Sequence, residues 1–106
     1  MKQLIIGRDP TSVALYSKEL TDAGYDGRIA AGVDTSVAIP SAALFCLVTA
    51  DESIYVSAAA ITLPTLGAGF GAQNAELNPP MITLSGETTL HVICRSDSDV
   101  SVAFYR

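Results

Sequence analysis

From Thr88 to Arg106 apolar and polar positions alternate with period two. Leu90, Val92 and Cys94 stand against Thr89, His91 and Ile93, and Val100, Val102 and Phe104 stand against Ser101, Ala103 and Tyr105. Such alternation is the signature of strands with one face on a core, and the polar Ser96-Asp97-Ser98-Asp99 between the runs reads as a turn. The segment therefore predicts a closing hairpin, with the last residues completing a sheet.

Shorter runs of the same kind lie upstream. Thr35 to Ile39 stops at Pro40, Ala42 to Thr49 is almost continuously apolar, and Ser53 to Ser57 follows Asp51-Glu52. Three strands are expected here. The middle one lacks a polar face and so reads as a central strand covered on both sides, with Asp51-Glu52 turning it into an antiparallel mate. Met81 to Leu84 predicts a further strand before the Ser85-Gly86 turn. Pro64 to Pro80 has no clear period and reads as a loop, with room for one helical turn.

The first third supports two readings. Asp9-Pro10 as cap and first turn, Val13, Tyr16 and Leu20 near helical spacing, and Gly24 past the end predict a helix from Pro10 to Ala23. Against this, Thr11, Ser12, Val13, Ser17 and Thr21 are mediocre helix formers, and Val13, Leu15 and Ser17 also fit period two. Tyr25-Asp26-Gly27 resembles a turn. The expected fold is mainly β: a small antiparallel sandwich or barrel in one domain, residues 1–106. Residues 1–30 would form an N-terminal arm or short helix, and residues 31–106 the β domain.

Composition narrows the function classes. The 106 residues are 49% apolar and only 16% charged, which argues against disorder. On so small a body, few charges imply that some apolar surface is covered by more than its own core, and self-association is the simplest cover. A net charge of −5 with six scattered Lys and Arg disfavours a nucleic-acid partner. The apolar Leu4-Ile5-Ile6 is cut short by Arg8, Asp9 and Pro10, so no secretory leader is expected. No apolar run approaches the roughly 20 residues that cross a bilayer, and a protein made and kept in a cytoplasm is expected. Cys46 and Cys94 both lie in strand-like apolar runs and read as reduced core thiols.

Candidate chemistry is sparse. His91 is the single histidine, and period two puts it and Cys94 on opposite strand faces, which is poor geometry for a dyad. One histidine and two cysteines are too few ligands for a Cys/His zinc site. The glycines of Gly67-Ala68-Gly69-Phe70-Gly71 lack the Gly-Lys-Ser/Thr of a phosphate loop and the βαβ setting of a dinucleotide site. Phe70 among them either folds back over the core, the favoured reading, or serves a partner as an anchor. Asp51-Glu52 and Asp97-Ser98-Asp99 read as solvated turns, with too few oxygen ligands for a calcium loop. The expectation is a protein that is not an enzyme and carries no cofactor or metal.

Two stretches resemble small structural proteins of tailed bacteriophages, the capsid decoration or cement proteins. One is Ala50-Asp51-Glu52-Ser53-Ile54-Tyr55-Val56-Ser57. The other joins Ala75-Glu76-Leu77-Asn78-Pro79-Pro80 to Gly86-Glu87-Thr88-Thr89-Leu90-His91-Val92-Ile93 and the terminal Val100-Ser101-Val102-Ala103-Phe104-Tyr105. The resemblance lies in phrases between Ala50 and Tyr105 and not in a diagnostic motif. It implies a virion component on the capsid surface, made in the host cytoplasm. Such a protein would be a homo-oligomer, a trimer being one option, clamping neighbouring major capsid subunits. The expected partner contacts are Leu4, Ile5 and Ile6, by strand addition, together with Phe70, Asn74 and Leu77. Two other classes stay open: a tail-associated, receptor- or carbohydrate-binding β module, and a small ligand-binding barrel.

Overall fold

The computed structural model describes residues 1–8, 14–18, 20–63 and 75–106, with 5–8 and 14–18 described as backbone. Among these residues ten strands follow in chain order: β1 Leu4–Arg8, β2 Ala14–Lys18, β3 Gly24–Ile29, β4 Thr35–Ala38, β5 Phe45–Ala50, β6 Ile54–Ser57, β7 Glu76–Leu77, β8 Ile82–Thr83, β9 Thr89–Cys94 and β10 Ser98–Tyr105. They form two four-stranded antiparallel sheets, ordered β3-β10-β5-β8 and β4-β9-β6-β7, and a separate ribbon of β1 and β2. The sandwich expected from the alternation is present, and it includes β3 as well as the later strands.

Period two fixes which side chains meet between the sheets. Leu90, Val92 and Cys94 on β9 face Val100, Val102 and Phe104 on β10 across a core completed by Cys46, Ile54, Val56 and Leu84. Ile93, on the other face of β9, is also buried, because Ile61 and Leu63 fold over the outside of this sheet and pack with Tyr55 in a second cluster. Both cysteines are free and wholly buried. Burial pushes the Cys46 thiol up to about 12 and raises that of Cys94, which leaves both as unreactive core groups.

Four expectations need correction. The helix over Pro10 to Ala23 is not formed by Ala14–Lys18, which are a strand registered against β1; residues 10–13 and 19 lie outside the described residues. Local propensity does not decide this, since Ala14, Leu15 and Lys18 are good helix formers; the five-residue antiparallel pairing with β1 overrides it. Tyr25-Asp26-Gly27 is the middle of β3 and not a turn.

The terminal strands are not a hairpin: β9 pairs with β4 and β6, whereas β10 pairs with β3 and β5. Likewise β5 and β6 flank Asp51-Glu52 in different sheets. In both places the short polar corner carries the chain across the core. Either connection leaves the same residues facing inward, so the alternation cannot distinguish them.

Three crossings, β3 to β4, β5 to β6 and β9 to β10, therefore gather at one end of the sandwich. Carboxylates latch them together. Asp51 Oδ1 accepts hydrogen bonds from Ser98 Oγ at 2.6 Å and the Asp99 amide at 2.9 Å, and Asp97 Oδ1 accepts from the Ala31 amide at 2.9 Å. The turn acids are exposed, as expected, and have a structural task. The Ser98 and Asp99 bonds hold the Asp51 carboxyl below its ordinary range. A group depressed in the folded state stabilises the fold above its unfolded value, and loses that contribution as pH falls through the folded value. Melting followed from neutral to acid pH is thus expected to fall less steeply on the acid side for Asp51→Asn than for wild type; identical acid limbs would show that this latch is not pH-linked.

Candidate interaction surface

The opposite end of the sandwich carries the ribbon. Arg106 donates its amide to the Lys2 carbonyl at 3.0 Å and accepts from the Leu4 amide at 2.9 Å, the pattern of a parallel pair beside the last residue of the chain. Residues 2–4 thus start next to the end of β10 and run in its direction, which carries β1 beyond the end of the sheet. The molecule is 44 Å long against 30 and 25 Å in the other directions. The root is fastened further by an ion pair from the Met1 amino group to Asp22 at 3.4 Å and by Thr21 Oγ1, which donates to the Phe104 carbonyl at 3.1 Å.

The expected contact residues separate in this frame. Leu4 is only 6% exposed, so its side chain belongs to the root. Ile5 and Ile6 lie on β1, registered with Ser17 and Tyr16. Leu77 is half exposed on the edge strand β7, opposite Tyr55. Phe70 and Asn74 lie outside the described residues. Leu20 and Leu44, which are not among the expected contacts, are 86% and 52% exposed. Leu20 connects β2 to β3, and Leu44 donates its amide to the Tyr105 carbonyl at 2.8 Å, so both sit at the ribbon end. Neither carries a contact signal in the sequence: Leu20 fits the helical spacing of Val13 and Tyr16, and Leu44 lies inside the apolar run from Ala42 to Thr49.

Two further groupings have chemical content. A cleft of about 230 Å³ opens between the sheets, floored by Val56, Leu84 and Leu90, with Glu76 and Glu87 among its lining residues. The Ser85 amide bonds the Glu87 carboxylate and holds it below the usual range. On the outer face of the second sheet, His91 Nδ1 lies 3.1 and 3.2 Å from the two oxygens of Asp34, whose Oδ2 also accepts from the Ile61 amide at 3.4 Å. This contact ties the β3–β4 connection and the covering segment to β9. Cys94 lies on the inner face of the same strand, so the two residues do not form a dyad.

Among the described residues no group of three His, Cys, Asp or Glu could hold a metal ion, and no helix is long and apolar enough to cross a membrane. Comparison with protein-family models, with curated proteins and with solved structures finds no match for this chain.

Proposed function

We propose that this chain is a non-enzymatic virion structural protein, a capsid decoration protein that stabilises the lattice of the major capsid protein. The observation that carries the reading is the ribbon. Beyond the Leu4 amide, which bonds the Arg106 carbonyl, β1 and β2 pair among the described residues with each other and with no strand of either four-stranded sheet, yet Leu4, Ile5, Ile6, Leu15 and Tyr16 make them rich in apolar residues. A two-stranded ribbon is marginal in water by itself, and a strand that finds a neighbouring subunit gains main-chain hydrogen bonds as well as apolar cover. Exposed Leu20 and Leu44 at its root would widen the contact. Repetition over a lattice would then turn weak single contacts into firm attachment.

The phage assignment itself rests on the resemblance between Ala50 and Tyr105. Its test uses purified tailed-phage particles from the source of the chain. The protein is expected in the capsid fraction by mass spectrometry. Purified chain should rebind stripped capsids, whereas I5D/I6D should melt like wild type and fail to rebind. Absence of the chain from particles would end the virion reading. In that case the cleft beside Glu76 and Glu87 favours the second reading, a module that binds a small ligand with an apolar body and a cationic group.

A further inference from the structure

We propose that β3 is a self-pairing edge, and that two copies of this chain join their β3 strands antiparallel about Gly27 into one continuous eight-stranded sheet. The inference stands on the register of β3 and does not depend on the virion reading.

Among the described residues β3 closes one side of its sheet, with β10 as its sole strand neighbour, and every residue from Gly24 to Arg28 is exposed. The hydrogen-bonding phase follows from one contact: the Phe104 amide donates to the Ala23 carbonyl at 2.9 Å, in the register that places Tyr25 opposite Val102. Antiparallel strands alternate bonding sides. Tyr25, Gly27 and Ile29 therefore turn their amides and carbonyls toward β10, while Gly24, Asp26 and Arg28 turn theirs outward. An outward row of this kind is a template for another strand.

Charge selects the partner and the register. Charged residues on an edge ordinarily discourage pairing, but here the two signs are placed symmetrically about a glycine, Asp26-Gly27-Arg28. Any two-fold register centred on a residue of β3 satisfies the outward bonding phase, and three of these centre on the charged triplet itself. Centred on Asp26, the strands oppose two aspartates; centred on Arg28, they oppose two arginines. Centred on Gly27, each Asp26 faces the other copy's Arg28, and the same ion pair forms twice. Arg28 already reaches Asp99 at 2.9 Å with its side chain 60% exposed, and a guanidinium has donors enough for a second carboxylate. At the centre nothing lies within 4 Å of the position a Gly27 Cβ would take. In this register Tyr25, 45% exposed, comes opposite the other copy's Ile29 and gains apolar cover. A two-fold contact of this kind makes a dimer, where a trimer would need a head-to-tail interface.

Sedimentation velocity over a range of concentrations tests the proposal. Wild type should approach twice the 11.0 kDa monomer mass as concentration rises. Asp26→Pro removes an outward amide that β10 does not use, so it should keep the monomer's melting curve and lose the dimer. Asp26→Lys should also lose it, because the introduced ammonium would face the other copy's Arg28 at both ends of the contact. Amide exchange on the wild type provides a readout that needs no variant. Tyr25 and Gly27 should be protected at every concentration, and Asp26 and Arg28 only when the chain is concentrated. A wild type that stays monomeric, a dimer that survives Asp26→Pro, or Asp26 and Arg28 amides that exchange equally fast at all concentrations would each overturn it.

Discussion

Phe104→Ala is expected to destabilise the protein by about 3–5 kcal/mol, the cost of emptying a wholly buried aromatic site. Phe104 has no exposed surface, lies in the inter-sheet core and meets the Tyr25 ring edge-to-face with centroids 6.1 Å apart. Its strand is central, with β3 on one side and β5 on the other, so neither neighbour can collapse into the void without breaking register. A domain of this size has about 5–15 kcal/mol in total, so the variant should be largely unfolded on mild heating. Urea unfolding is the measurement: the midpoint should fall sharply with the slope unchanged. A loss below about 1 kcal/mol would mean that the two sheets do not share the core described.

Gly24→Ala should be the next most damaging small change, at about 1–3 kcal/mol. A Cβ at Gly24 would come within 2.5 Å of the Val102 carbonyl oxygen. That atom belongs to the backbone of β10 and cannot swing aside, so the start of β3 would have to separate from its neighbour. Gly27→Ala is the internal control. It sits three residues along the same strand in open space and without a positive φ, so alanine there should be neutral or stabilise the monomer by about 0.4–1 kcal/mol through the unfolded chain. Denaturation of the two variants side by side separates a steric effect from a general intolerance of alanine in β3. Equal destabilisation by both would count against the close strand contact at Gly24.

The proposed contact surfaces are only partly legible in the sequence. Ile5 and Ile6 were visible as a short apolar run that could add a strand, and the ribbon carries them. The Asp26-Gly27-Arg28 symmetry was equally present in the letters, but Asp-Gly read locally is a turn signal. Its meaning changes only when β10 holds those residues extended and leaves their other side open. Leu20 and Leu44 gained significance from being brought to one end by β10, β5 and the chain's return from β2, a long-range outcome without a local signature.

By itself the sequence determined the class of element and the inward face of the main strands. Leu90, Val92 and Cys94, like Val100, Val102 and Phe104, could bury together only as alternate residues of extended chain. It also placed both cysteines in the core and the turn acids at corners. Tertiary structure alone decided partnership. The corner at Arg95 to Asp97 crosses between sheets where a hairpin was expected, since a crossing and a hairpin present the same residues inward and differ only in distant neighbours. It decided as well that Ile93 is buried from outside by Ile61, and that Ala14–Lys18 pair with β1 and do not coil. Periodicity records which way a side chain faces; what lies opposite is settled by long-range pairing, which no local pattern encodes.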